Sequence, residues 1–181
     1  MRSIKYLVGV TIVFLFLPIF LSVGAYVFRA QIQQGKFLPE LGPLLSLAFP
    51  ADDLYAPLAV ESLSPEKSTY KFKFPHKYLG NHAVFIEIPS EIRPEFKIEK
   101  DLSLTVKIQE GDKLLLWKSE DRGSPFLGKG RYGFYYVGYK VPKDVPVSKE
   151  ISMEINIGKD VDHFLKTHEK ARLIVRKSSD E

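Results

Sequence analysis

One stretch constrains this chain more than any other. From Tyr6 to Phe28, 23 consecutive residues carry no charge, reading YLVGVTIVFLFLPIFLSVGAYVF. As a helix the run reaches about 34 Å, enough to cross the ~30 Å hydrocarbon layer of a bilayer with some tilt. No polar face recurs at helical spacing, which argues against a half-buried helix of a soluble core. Arg2 and Lys5 precede the run. By the positive-inside rule they keep the N-terminus in the cytoplasm and send the residues after Phe28 across the membrane. Tyr6, Tyr26 and Phe28 stand at the two edges, where aromatic rings favour the interface, and Pro18 is a kink that membrane helices tolerate. Val23-Gly24-Ala25 offers a small-residue processing site, so a signal peptide cleaved after Ala25 is the competing reading. The apolar core is long for a signal peptide and continues past that site, which favours an uncleaved anchor. Residues 1–28 are therefore expected to be a single-pass anchor in the inner (cytoplasmic) membrane. The C-terminal domain is expected on its extracytoplasmic, periplasmic side.

This topology reinterprets the charge. The net charge is +4, but Arg2, Lys5 and Arg29 flank the apolar run, and the other 23 basic residues face 22 acidic ones. Lysines and glutamates are interspersed along the chain. The sequence has no uncompensated basic tract of the kind that grips a phosphate backbone, so no nucleic-acid partner is expected. Cysteine is absent, which excludes disulfides, thiolate nucleophiles and cysteine-ligated metals. An exported domain without cysteine fits a bacterial cell envelope better than eukaryotic secretion.

Residues 29–44, RAQIQQGKFLPELGPL, are punctuated by Gly35, Pro39, Gly42 and Pro43 and read as a stalk. The extracytoplasmic domain is expected over 45–181. There a two-residue period takes over. Tyr70, Phe72 and Phe74 alternate with lysines; Leu102, Leu104, Val106 and Ile108 alternate with Ser103, Thr105 and Lys107; Ile151, Met153, Ile155 and Ile157 alternate with Ser152, Glu154 and Asn156. Each segment reads as a strand with one buried and one wet face. Val84–Ile88 and Lys113–Trp117 are more apolar and read as central strands. Tyr132–Val141 is aromatic on both faces, and Ala171–Arg176 closes the series. Gly80-Asn81 marks a turn, and Glu110-Gly111-Asp112 marks a tight hairpin. The one helical candidate is Lys159–Lys170, with Asp160 or Asp162 as its cap. Seven or eight short strands and one short helix predict an all-β fold: an antiparallel β-sandwich, immunoglobulin-like or jelly-roll.

Candidate sites are few. The segment from Arg122 to Arg131, RGSPFLGKGR, combines glycines and cations with Phe126 and reads as a contact loop; its Gly-Lys-Gly lacks the phosphate-loop pattern. The aromatic strand places Tyr135 and Tyr139 on one face, which with Trp117 makes a stacking platform for sugar rings or an interface. Arg122, Phe126, Lys129, Arg131, Trp117, Tyr135 and Tyr139 are the candidate binding residues. His76 and His82 flank the Gly80-Asn81 turn, whereas His163 and His168 are misaligned on a helix, so a metal site is not expected. The short acidic pairs, Asp52-Asp53 and Asp160/Asp162, read as a turn and a cap, without a calcium-loop pattern. No catalytic motif is found, and no cofactor is expected. The sequence thus predicts a membrane-anchored binding or accessory protein of the cell envelope that contacts a protein partner. The alternatives are a carbohydrate- or lipid-headgroup-binding module and, behind it, a metal-dependent envelope hydrolase.

Overall fold

The computed structural model describes residues 16–36, 48, 50–89, 102–128, 131–141, 145–146, 148–158 and 160–178. The chain divides into two compact units, Met1–Leu54 and Tyr55–Glu181.

In the first unit, residues 16–27 are helical (α1), and Arg29–Gln33 form a second short helix, α2. Phe16, Leu17, Ile19, Phe20, Leu21, Val23, Tyr26 and Val27 are all exposed on α1. Among the described residues no helix is long and apolar enough to cross a membrane. Arg29 closes the apolar stretch. Its guanidinium lies 4.1 Å over the Tyr26 ring, donates to the Tyr26 carbonyl at 2.8 Å and pairs with Asp52. Asp52, read from sequence as a plain turn residue, thus ties its turn to the end of the helix.

The second unit is a two-layer antiparallel β-sandwich. Its strands are β1 (Ala59–Ser62), β2 (Thr69–Pro75), β3 (Asn81–Ile88), β4 (Leu104–Glu110), β5 (Lys113–Glu120), β6 (Ser124–Gly128), β7 (Arg131–Lys140), β8 (Glu150–Ile157) and β9 (Arg172–Lys177). The five-stranded sheet has the order β1-β9-β3-β7-β6 and the four-stranded sheet the order β2-β8-β4-β5. The pairings nest: β1 with β9, β2 with β8, β3 with β7 and β4 with β5, alternately in the first and the second sheet. A short helix, α3 (Val161–Thr167), crosses from β8 towards β9. It is shorter than its sequence pattern, and Asp160 stands at its N-cap without a side-chain capping bond.

The alternating segments fold as expected. Leu104, Val106, Ile108, Ile151, Met153 and Ile155 point inward from the four-stranded sheet; Val84, Ile86, Leu173 and Val175 meet them from the other. Val161 and Phe164 of α3 join this core. The β4–β5 hairpin turns through Gly111 and Asp112, with Gly111 at φ 54°, the sign that a type II′ turn needs at its first position.

Two expectations change. The apolar Lys113–Trp117 segment is not central: β5 is an edge strand, with Leu114 and Trp117 in solvent. A run of apolar residues does not by itself separate a buried strand from an edge that exposes them. The Arg122–Arg131 segment is not one loop either. Ser124–Gly128 pairs with β7, and Pro125 is accommodated because β6 is an edge.

Candidate functional site

The two outer faces of the sandwich differ sharply. On the five-stranded sheet, Ala83, Phe85 and Ile174 form a second apolar cluster, with Phe126 and Tyr135 packed against it. Phe85 meets Phe126 and Tyr135 edge-on, at 5.2 and 5.6 Å between ring centres. The Arg176 guanidinium lies 4.6 Å over Phe85 and 5.7 Å from Phe126. Tyr135 folds along the sheet, its hydroxyl occupying the space that a Cβ at Gly138 would need. Glu87, 4% exposed, pairs at 2.7 Å with Arg172 across the β3–β9 ladder. This face is packed.

The four-stranded sheet turns an open polar face to solvent, and its registers set the side chains in rows. One row runs Thr69, Asn156, Thr105, Ser119; the next runs Lys71, Glu154, Lys107, Trp117; a third holds Lys73, Ser152 and Gln109. Thr69 donates to the Asn156 side chain at 2.7 Å, and the Thr105 and Ser119 hydroxyls share a 2.8 Å bond. The Asn156 amide and the Lys71 ammonium hold the Glu154 carboxyl below the usual carboxylate range. Trp117, the chain's one tryptophan, stands 73% exposed at the end of the middle row. Leu114, 51% exposed, stands on the same edge strand. A bare indole at the rim of a polar face offers an apolar surface beside hydrogen-bonding groups.

The sequence candidates therefore separate. Trp117 is free to meet a ligand. Arg122 is exposed in the short 121–123 connection, so β5, this corner and β6 share one lateral edge. Phe126 and Tyr135 serve the packed face. Tyr139 is buried, with its ring stacked on His82 at 5.4 Å. Burial drives its phenol far above the ordinary tyrosine range. Lys129 lies outside the described residues, and Arg131 is placed only by its backbone pairing with Gly128. Sequence reasoning passed over Lys107 and Glu154 as ordinary wet-face residues; the cross-strand register is what sets them beside the indole.

His76 and His82, on either side of the Gly80-Asn81 turn, lie with ring centres 5.8 Å apart. Both are buried. The His82 Nδ1 lies 3.1 Å from the Gly80 carbonyl oxygen. Burial pushes the His76 imidazole below its ordinary pKa, and no hydrogen-bond partner reaches its Nε2 among the described residues. Lys177, opposite His82 in the ladder, donates to the Leu79 carbonyl at 2.8 Å. Among the described residues no three His, Asp or Glu side chains gather to hold a metal.

A comparison with protein-family models finds none that matches this chain, and a comparison with curated proteins finds no match.

Proposed function

We propose that this protein is a membrane-anchored, extracytoplasmic carbohydrate-binding module of a bacterial cell envelope, with the open face of its four-stranded sheet as the binding surface. The observation that carries this reading is Trp117, exposed at the end of rows of hydroxyl, amide, ammonium and carboxylate groups. A pyranose ring presents one apolar C–H face and a rim of hydroxyls, which is what an indole beside such rows accommodates. The aromatic strand does not supply the platform, because its side chains are engaged in packing. The test is a titration of the full-length protein with a glycan panel, followed by Trp117 emission. A saturable shift is expected, and its absence across the panel would sink the reading.

The anchor belongs to the same proposal. Its support is the uncharged run from Tyr6 to Phe28 together with the exposed apolar side chains of α1, from Phe16 to Val23 and again at Tyr26 and Val27, a surface suited to lipid. The protein should stay with the membrane through alkaline extraction, and a version lacking residues 1–28 should be released. We also infer a jelly-roll rather than an immunoglobulin-like sandwich. Setting β6 aside, the nested pairs are those of one long antiparallel ribbon rolled up on itself.

A second reading is favoured by Leu114 beside Trp117 on β5, which among the described residues is an edge strand. A protein partner there would add an extended segment to β5, with side chains over the two apolar residues. Capture of a stoichiometric partner that is lost on replacing Leu114, with no glycan response, would select it.

A further inference from the structure

We propose that the open face takes an acidic polysaccharide, and that Lys107 is the residue that selects its carboxylate. The inference rests on the reading of the Trp117 face as a glycan surface and names the sugar class.

Lys107 and Trp117 are direct cross-strand partners on β4 and β5. Such partners have Cβ atoms about 5 Å apart, so an ammonium and an indole flank one sugar-sized position. The other lysines of this face are engaged: Lys71 pairs with Glu154 at 3.4 Å and Lys73 with Glu150 at 3.7 Å. Lys107 is exposed and, among the described residues, makes neither an ion pair nor a hydrogen bond; it feels Glu154 only through space. Glu154 is already balanced by Lys71 and by the Asn156 amide. The uncompensated charge beside the indole is therefore positive. A pyranose stacked on Trp117 with a carboxylate on its rim places that carboxylate within reach of Lys107. A neutral sugar leaves the ammonium with water. Thr105 and Ser119, one row along the strands, offer hydroxyls to the rim of the same ring. Strands about 4.8 Å apart let a glycan chain laid across them meet one side chain per strand.

The test uses the full chain in phosphatidylcholine nanodiscs, with Trp117 emission as the signal. The probes are oligogalacturonide, neutral cello-oligosaccharide and phosphatidylglycerol vesicles. Oligogalacturonide is expected to bind about tenfold more tightly than the neutral glycan, as befits one charge-assisted contact, and to lose that advantage in Lys107→Gln and in high salt. Lys107 is exposed, so this variant should keep the parent thermal transition. Equal affinity for the acidic and neutral probes would overturn the role of Lys107 while leaving the Trp117 surface standing. No response to either glycan would overturn both. A response to the vesicles alone would replace the sugar with a lipid headgroup and overturn both.

Discussion

The two outer faces of this sandwich are both built from antiparallel strands, yet one is packed and the other is open. On the five-stranded sheet, β3 is buried from His82 to Ile88 and β9 buries Leu173, Ile174 and Val175 in succession. On the four-stranded sheet, β8 alternates buried and half-buried positions from Ile151 to Ile157. Burial on both sides commits every residue of a strand to stability. Burial on one side leaves the alternate residues free to evolve toward a ligand. The packed face therefore supplies rigidity, and the open face is where binding can be built without weakening the core.

Breaking the packed face should have the largest effect. Phe85, 6% exposed on the outer side of its sheet, behaves as a core residue here; Phe85→Ala should cost about 3–5 kcal/mol in urea denaturation. Lys107→Ala on the open face should stay within about 0.5 kcal/mol. Similar costs at the two positions would erase the distinction between the faces.

Next in size is the ion pair. Arg172→Met removes the ion-pair partner of the buried Glu87 carboxylate; because the arginine is itself partly exposed, the cost should be about 2 kcal/mol. Replacing both, as Glu87→Gln with Arg172→Met, should recover part of that loss. A double variant no more stable than the single one would mean that the pair is not coupled.

A smaller effect is a matter of pH. His76 is buried and its folded-state pKa lies below the ordinary 6.5, because desolvation disfavours the imidazolium. The unfolded chain therefore takes up the proton first. The contribution is fully present above pH 6.5 and is lost as pH falls from there through the folded-state pKa. The stability-against-pH curve of His76→Phe should be flatter across that window, and an unchanged slope would show that His76 is not the group responsible. The smallest effect expected is on the stability of Trp117→Ala, within about 0.5 kcal/mol, since little area is buried there. A substantial loss would mean that the indole supports the fold rather than a ligand.

Much of the open face was legible in the sequence. The strict alternation of Leu104–Ile108 and Ile151–Ile157 identified strands with one wet side, and those strands form the centre of the four-stranded sheet. Trp117 was singled out as a candidate, but for a platform shared with Tyr135 and Tyr139. Those residues lie in the other sheet, Tyr135 against Phe85 and Tyr139 in the core. Residue type reveals that an aromatic side chain must do something, not whether it packs or binds.

By itself the sequence determined the long uncharged run, the all-β class, the hairpin at Gly111 and which strands carry a wet face, because each is a matter of local period or local backbone freedom. Only the tertiary structure decided that β5 is an edge, that Phe126 belongs to a packed cluster, that Glu87 meets Arg172 and that Lys107 stands beside Trp117. These depend on which strands pair and in what register. That choice is set by the packing of residues far apart in the chain, which no local pattern encodes.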